Sequence, residues 1–464
     1  MPVNFYKEFT RTKQAALAMA SIFLLCLGFY ANTWQVAKEE WFGSFEQYSE
    51  SLAIGRIVKS RQDGIFSAGG LLGRGLPEQS AQRYSALKYS RQALIKYQYE
   101  AYIEGVSCDT YITYDSQTGG QAMLFSFLDK ALPQSPRAKL ALFYLINSLL
   151  AACILAVLIR WFYLEFGMVV AVSVLLTMIC SQWLVVFGRN IFWCLWAFYL
   201  PMVMVLYFLR SHRTAASPHL IKFAALVFLG VLVKVAFNGY EYITPTLIML
   251  LVPLIFYCVR DGRGIRWLAR HAIWAGLASI AAILLSMSIL CFQIASIKGD
   301  LLSGVNHIFF VLMKRTHASA VDFPPEYAAS LQAGLGEVLW KYLQGTFFDL
   351  NNYIAAQNAF IATYLFKIAY WYLLGLFIIA TVLLLTRKGV SNHSIERSQC
   401  IALVITAWFS ILAPLSWYLI FKAHSYVHTH MNFIVWQMPF TFYGFALCGL
   451  VISYILPCTK NSHG

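Results

Sequence analysis

Ten stretches of roughly 18 to 25 apolar residues recur along the chain, each long enough to cross the ~30 Å hydrocarbon core of a bilayer as a helix. They lie at roughly 15–32, 138–159, 167–187, 191–209, 219–237, 242–259, 272–295, 359–386, 399–421 and 433–456. In lipid every backbone N–H and C=O must find an internal partner, so spans are helices or closed barrels, and runs of this length fit helices. The expected fold is therefore all-α: a polytopic membrane protein with about ten transmembrane helices, forming one integral membrane domain over 1–464. Composition points the same way, since 59% hydrophobic and 12% charged residues with a mean hydropathy of +0.62 sit far from the ~45–50% and ~25% of soluble chains. A soluble enzyme is excluded. The first run is too long, and too poor in a small-residue cleavage pattern, for a cleaved signal peptide, and is expected to stay as a helix.

The net charge of +14 raises the question of nucleic acid, but the basic residues are dispersed among apolar segments and build no phosphate-tracking face, so no nucleic-acid partner is expected. The charge reads as topology. With a cytoplasmic N-terminus, the inner segments hold fourteen Lys and Arg, whereas the short outer loops hold only Arg189 and Lys422. That asymmetry places both termini in the cytoplasm, with long loops exempt from the count. Glu8, Glu165, Asp261 and Glu396 fall inside and the other seventeen acidic residues outside, so any chemistry is expected on the outer face. Nine of the ten cysteines lie in or beside apolar segments and only Cys108 in a long polar stretch, which predicts no disulfide.

Two large extracytoplasmic loops follow, 33–137 and 296–358. Both are rich in aromatic residues and carry amphipathic stretches, Glu46 to Ile65 and Gln82 to Ile103 in the first, Ile308 to Met313 and Tyr327 to Leu350 in the second. These suit helices lying on the bilayer surface.

Five features that break the apolar pattern all map to the outer face. The stretch FEQYSESLAIGRIVKSRQDG, 45–64, puts Glu46 and Glu50 four residues apart on one helix face. They are either a general base held near a low-dielectric surface or surface carboxylates offset by Arg56 and Lys59. The turn YDSQTGGQ brings Tyr114, Asp115 and Gln117 beside two glycines, which allow close approach to a ligand or simply make a tight turn. Arg189 and Asn190, in GRN with Trp193 just after, occupy an outer loop about three residues long; the Arg either snorkels to headgroups or binds an anion. In FNGYEY, with Lys234 a turn earlier, Glu241 is the only carboxylate of its loop. Tyr240 and Tyr242 flank it at an aromatic-belt position. The densest cluster is KAHSYVHTHMN: Lys422, His424, His428, His430 and Asn432. One short loop cannot supply three or four metal ligands with their supporting shell, so a phosphate clamp or a structural network is favoured over a metal. Arg189, Lys422, His424, His428 and His430 are the cations of the short outer loops, and the clamp is expected to consist of them. Lys367 reads as the only deep charge. No Walker loop, dinucleotide fingerprint, HExxH or GxSxG stands in a fitting context.

Taken together, the cytoplasmic N-terminus, the long first outer loop with an acidic residue opening a helix, the second surface loop and the basic last outer loop resemble the C-type (GT-C) polytopic glycosyltransferases. Segments similar to YDSQTGGQ, GRNIFW, NGYEYI and KAHSYVHTHMNFIVW, in this order, give a closer likeness to bacterial O-antigen-modifying, serotype-converting glucosyltransferases. The resemblance implies a bacterial inner-membrane enzyme that moves a hexose from a polyprenyl-phosphate donor to a lipid-linked or surface glycan on the extracytoplasmic face. It also implies a separate donor synthase and flippase as partners beside the membrane lipid. It maps the family's catalytic base onto Glu50, which opens the ESLAIGRI helix, or Glu46; the Asp-Glu or Asp-Asp doublet of the general pattern is missing here. No cofactor is implied, and a divalent metal stays open. An O-antigen polymerase or ligase, which needs outer-loop arginines, is the alternative enzyme. A transporter or flippase is the alternative of another class, though it would want midplane polar residues and repeats.

Overall fold

The computed structural model describes residues 2–42, 47–76, 91–213, 219–319, 321, 323–386 and 396–455. Its first part runs through α1 (Pro2–Ala31), α2 (Gln47–Asp63), β1 (Leu72–Leu76), α3 (Arg91–Glu104), β2 (Thr110–Tyr114) and α4 (Gly120–Ala131). The bundle follows with α5 (Pro136–Phe166), α6 (Met168–Ile179), α7 (Gln182–Gly188), α8 (Leu195–Ser211), α9 (Leu220–Asn238), α10 (Ile243–Arg260) and α11 (Ile265–Lys298). After α12 (Leu301–Arg315) come α13 (Leu335–Leu343), β3 (Thr346–Asp349), β4 (Lys367–Ala369), α14 (Tyr370–Thr386), α15 (Arg397–Ser410), α16 (Leu412–Ile420), α17 (Lys422–Val427) and α18 (Phe440–Ile455). The fold is all-α with two antiparallel two-stranded ribbons, β1–β2 and β3–β4.

Among the described residues six helical segments are long and apolar enough to cross a membrane: Thr12–Ala31, Pro136–Phe166, Leu220–Asn238, Ile243–Arg260, Ile265–Lys298 and Arg397–Ile420. The pair α6 and α7, bent by 68°, makes up to seven, and α8, α14 and α18 are shorter apolar helices. Two of the apolar runs, 359–386 and 433–456, are longer than the helices within them because their first residues are used otherwise. Residues 361–365 form a π turn and 367–369 strand β4 before α14 begins, and Phe433–Gln437 is a 3-10 turn ahead of Pro439. Breaks carry their own stop and start chemistry: Ser181 Oγ accepts from the Leu184 N–H at the start of α7, and Glu396 and Gln399 form a capping box on α15.

In the bundle α1 lies along α5, α9 along α11, α6 along α18 and α10 along α15. At one end Glu165, closing α5, forms ion pairs with Arg210 of α8 and Arg260 of α10. Gln399 of α15 donates to the Glu165 carbonyl at 3.2 Å. The residues assigned by sequence to a common side thus meet at one end.

At the other end α2 packs on β1, α3 and α4. Every residue from Ser49 to Val58 is buried, so α2 is an interior helix and not the surface-lying one its pattern suggested. Its small residues, Ser49, Ser51, Ala53 and Gly55, let neighbours approach from all sides, which an amphipathic reading overlooks. Lys367 also departs from expectation: it is exposed on β4 opposite Asp349. A deeply buried lysine is instead Lys234 of α9, which donates to the carbonyls of Gly239 (2.8 Å) and Glu241.

Candidate active site

Two charged centres form at this end, joined by the loop between α7 and α8. The first is built on Glu50, fully buried on the first turn of α2. Its Oε2 accepts from the hydroxyls of Tyr99 of α3 (2.7 Å) and Tyr144 of α5 (2.8 Å), and its Oε1 from the Ile191 N–H (3.1 Å). Burial pushes the carboxyl above the usual carboxylate range, and the two tyrosines, the Ile191 N–H and the nearby Arg189 pull the other way. Arg189 donates to the Tyr30 carbonyl at 3.2 Å and lies over the rings of Phe42 (4.3 Å) and Tyr144 (5.4 Å). Asn190 shapes the loop from inside: its Oδ1 accepts from the N–H groups of Phe192 and Trp193 at 2.9 and 3.0 Å. The Ile191 N–H is thereby left facing Glu50.

The second centre is built on Glu241, buried in the turn between α9 and α10. Arg315, at the end of α12, pairs with its Oε1 at 2.6 Å, and His424 Nε2 of α17 lies 3.4 Å from its Oε2. Although burial works against it, Arg315 foremost and then His424 and His428 hold the Glu241 carboxyl well below the usual range. Burial pushes the His424 imidazole below its ordinary value, against the pull of Glu241. The His424 and His428 rings lie 4.6 Å apart, tilted by 45°, and Lys314 lies over Phe310 and Tyr327. Tyr114 belongs here too, near enough to Arg315 to feel its charge and meeting Phe192 edge-on at 6.3 Å. The turn that carries Glu241 depends on Gly239, whose φ of +56° suits glycine, and a Cβ there would sit 2.5 Å from Gln117 Cβ. Tyr242 follows in the left-handed region at φ 51°, a conformation a bulky side chain rarely takes and one that concentrates at functional sites.

The structure regroups the expected residues. Glu50 with Arg189 and Asn190 stand at the first centre, and Glu241 with Tyr114, His424 and His428 at the second. The five-cation clamp does not gather in one place: Lys422 donates to the Leu331 carbonyl at 2.9 Å, and Arg189 belongs with Glu50. Glu46 and the side chain of His430 lie outside the described residues. Arg56, fully buried, donates to the carbonyls of Gly64, Ile65 and Ser67 and so ties α2 to the turn that follows it. Asp115 pairs with Lys298 at 3.4 Å, Tyr240 donates to Ser286 at 3.3 Å, and the Asn432 carbonyl accepts from Tyr418. Tyr99, Tyr144 and Arg315 were missed. Arg315 had a signal, since it closes the apolar run of the second loop, but only short-loop cations were counted. Among the described residues no three His, Cys, Asp or Glu side chains converge as a metal would need.

No family model, curated protein or solved structure matches this chain.

Proposed function

We propose that the protein is an inverting glycosyltransferase of the C-type kind, with about ten membrane passes. It takes a hexose from a polyprenyl-phosphate donor and passes it to a lipid-linked or surface glycan on the extracytoplasmic face of a bacterial inner membrane. A separate synthase and flippase supply the donor. The observation that carries this reading is the setting of Glu50, a buried carboxylate with a raised pKa, fixed by two tyrosine hydroxyls and a main-chain N–H. A base poised this way takes the proton of an acceptor hydroxyl as its oxygen attacks the anomeric carbon and the bond from that carbon to the phosphate oxygen breaks. The leaving phosphate needs preorganised cations, and Arg315 and Lys314 at the second centre are suited to that part, with the imidazoles of His424 and His428 beside them as hydrogen-bonding groups. Glu241 aligns Arg315 and keeps it in place while the site is empty.

The test is transfer of hexose from undecaprenyl-phosphate hexose to acceptor glycan. Glu50→Gln keeps size and hydrogen bonding without the proton acceptor, so turnover should fall by ~10²-fold or more, with donor binding near normal. Activity kept in Glu50→Gln and lost in Glu46→Gln moves the base to Glu46, and full activity in both variants ends the carboxylate mechanism. Because Arg315 and Arg189 are both held in the outer-loop assembly, it would leave the polymerase or ligase reading, which works through arginines.

A further inference from the structure

Between the two centres lies a group of polar side-chain atoms that are buried and have no partner among the described residues. Gln117 is 3% exposed, and neither its Oε1 nor its Nε2 is hydrogen-bonded. Gln121 and Asn238, also buried, each use the amide NH2 on the α7–α8 loop, Gln121 on the Phe192 carbonyl at 3.2 Å and Asn238 on the Trp193 carbonyl. Their Oε1 and Oδ1 are left without a donor, and so is the Trp193 indole N–H without an acceptor. All four belong to one junction. Gln117 lies against Gly239, next in sequence to Asn238. Phe192 meets Tyr114 of the Arg315 centre, while its neighbour Ile191 binds Glu50.

An unpaired buried polar group costs folding free energy, so three amides and an indole together call for a ligand. Their chemistry selects it. Three carbonyl oxygens need donors, and two N–H groups need acceptors. A phosphate only accepts, and a metal ion binds lone pairs alone and leaves both N–H groups unmet. A ring carrying several hydroxyls both donates and accepts, and no charged group in the set asks for a charged ring. We propose that Gln117, Gln121, Asn238 and Trp193 form the subsite that reads the hydroxyls of an uncharged hexose, held between the base at Glu50 and the cations at Arg315. This rests on the glycosyltransferase reading and names within it the residues that determine which sugar is accepted.

The experiment measures binding of undecaprenyl-phosphate hexose and of bare undecaprenyl phosphate to the full-length protein in nanodiscs. Wild type should prefer the sugar-loaded lipid. Gln117→Met, which removes only an amide that has no protein partner, should reduce that preference about tenfold, the effect of losing one well-made hydrogen-bonded contact. Affinity for the bare lipid should stay within about twofold, and thermal stability should be equal or higher. Gln121→Met should act in the same direction with some loss of stability, since it also releases the Phe192 carbonyl. An unchanged preference in both variants overturns the subsite. So does a wild type that binds bare lipid but shows no preference for the loaded one, an outcome that leaves the glycosyltransferase reading standing. A wild type that binds neither lipid removes that reading and the subsite with it.

Discussion

The two buried carboxylates, Glu50 and Glu241, face opposite electrostatic surroundings. At Glu50 burial outweighs the two tyrosine hydroxyls, the Ile191 N–H and the nearby Arg189, so its pKa is raised. An acid raised in this way favours folding below its ordinary value and loses that contribution as pH rises through the folded one. Glu50→Gln should therefore keep or gain thermal stability at pH 7 while losing turnover, and wild-type turnover should fall on acidification at a pH above the ordinary carboxylate range. Glu241 is the reverse case. Its lowered pKa gives stability that is present above the ordinary carboxylate value and is lost as pH falls. Glu241→Gln leaves Arg315 buried without its counter-charge, a loss of about 3–5 kcal/mol. Adding Arg315→Met should restore much of the melting temperature and none of the donor binding; a double variant no more stable than the single one would show that the pair does not act together. Glu50 could be read from its place after the first span, and Glu241 from standing alone in a short apolar-flanked loop. Their partners could not, because Tyr99, Tyr144 and Arg315 are 49, 94 and 74 residues away, and no local pattern marks such pairs.

Helix α2 shows how an element can be legible in extent and illegible in setting. Sequence placed a helix across 46–65, and the structure has it at Gln47–Asp63, but the polar residues that suggested a wet face point into protein. Gly55 explains the tight fit: a Cβ there would sit 2.3 Å from the Gly73 carbonyl oxygen of β1. Gly55→Ala should cost about 1–3 kcal/mol by overpacking and reduce turnover by tilting the helix that carries Glu50. Amide exchange along β1 and α2 checks this, and protection equal to wild type would mean that the ribbon simply moves aside. The apolar runs were legible as helices for the same reason that their ends were not. Hydrophobicity marks what is buried, and a π turn, a strand and a 3-10 turn bury apolar side chains as readily as a helix does.

At the scale of the whole molecule the buried ion pairs and carboxylates sort by end: Glu165, Arg210 and Arg260 at one, Glu50, Glu241 and Arg315 at the other. Combined with the Lys and Arg bias, this gives a sidedness experiment. Reporters fused near Asp115 should read periplasm and near Arg263 cytoplasm, and labelling of 260–270 from outside would reverse the assignment. The Glu165 cluster also bears on how the protein is made. Arg210 and Arg260 follow Glu165 by 45 and 95 residues, and chains grow at about 5–20 residues per second. For about 5–20 s, then, the ribosome has delivered a carboxylate whose second cation does not yet exist, at a cost of several kcal/mol if it enters lipid alone. Held by Arg210 alone until α10 brings Arg260, the Glu165 end of α5 would favour the headgroup level over the hydrocarbon during synthesis.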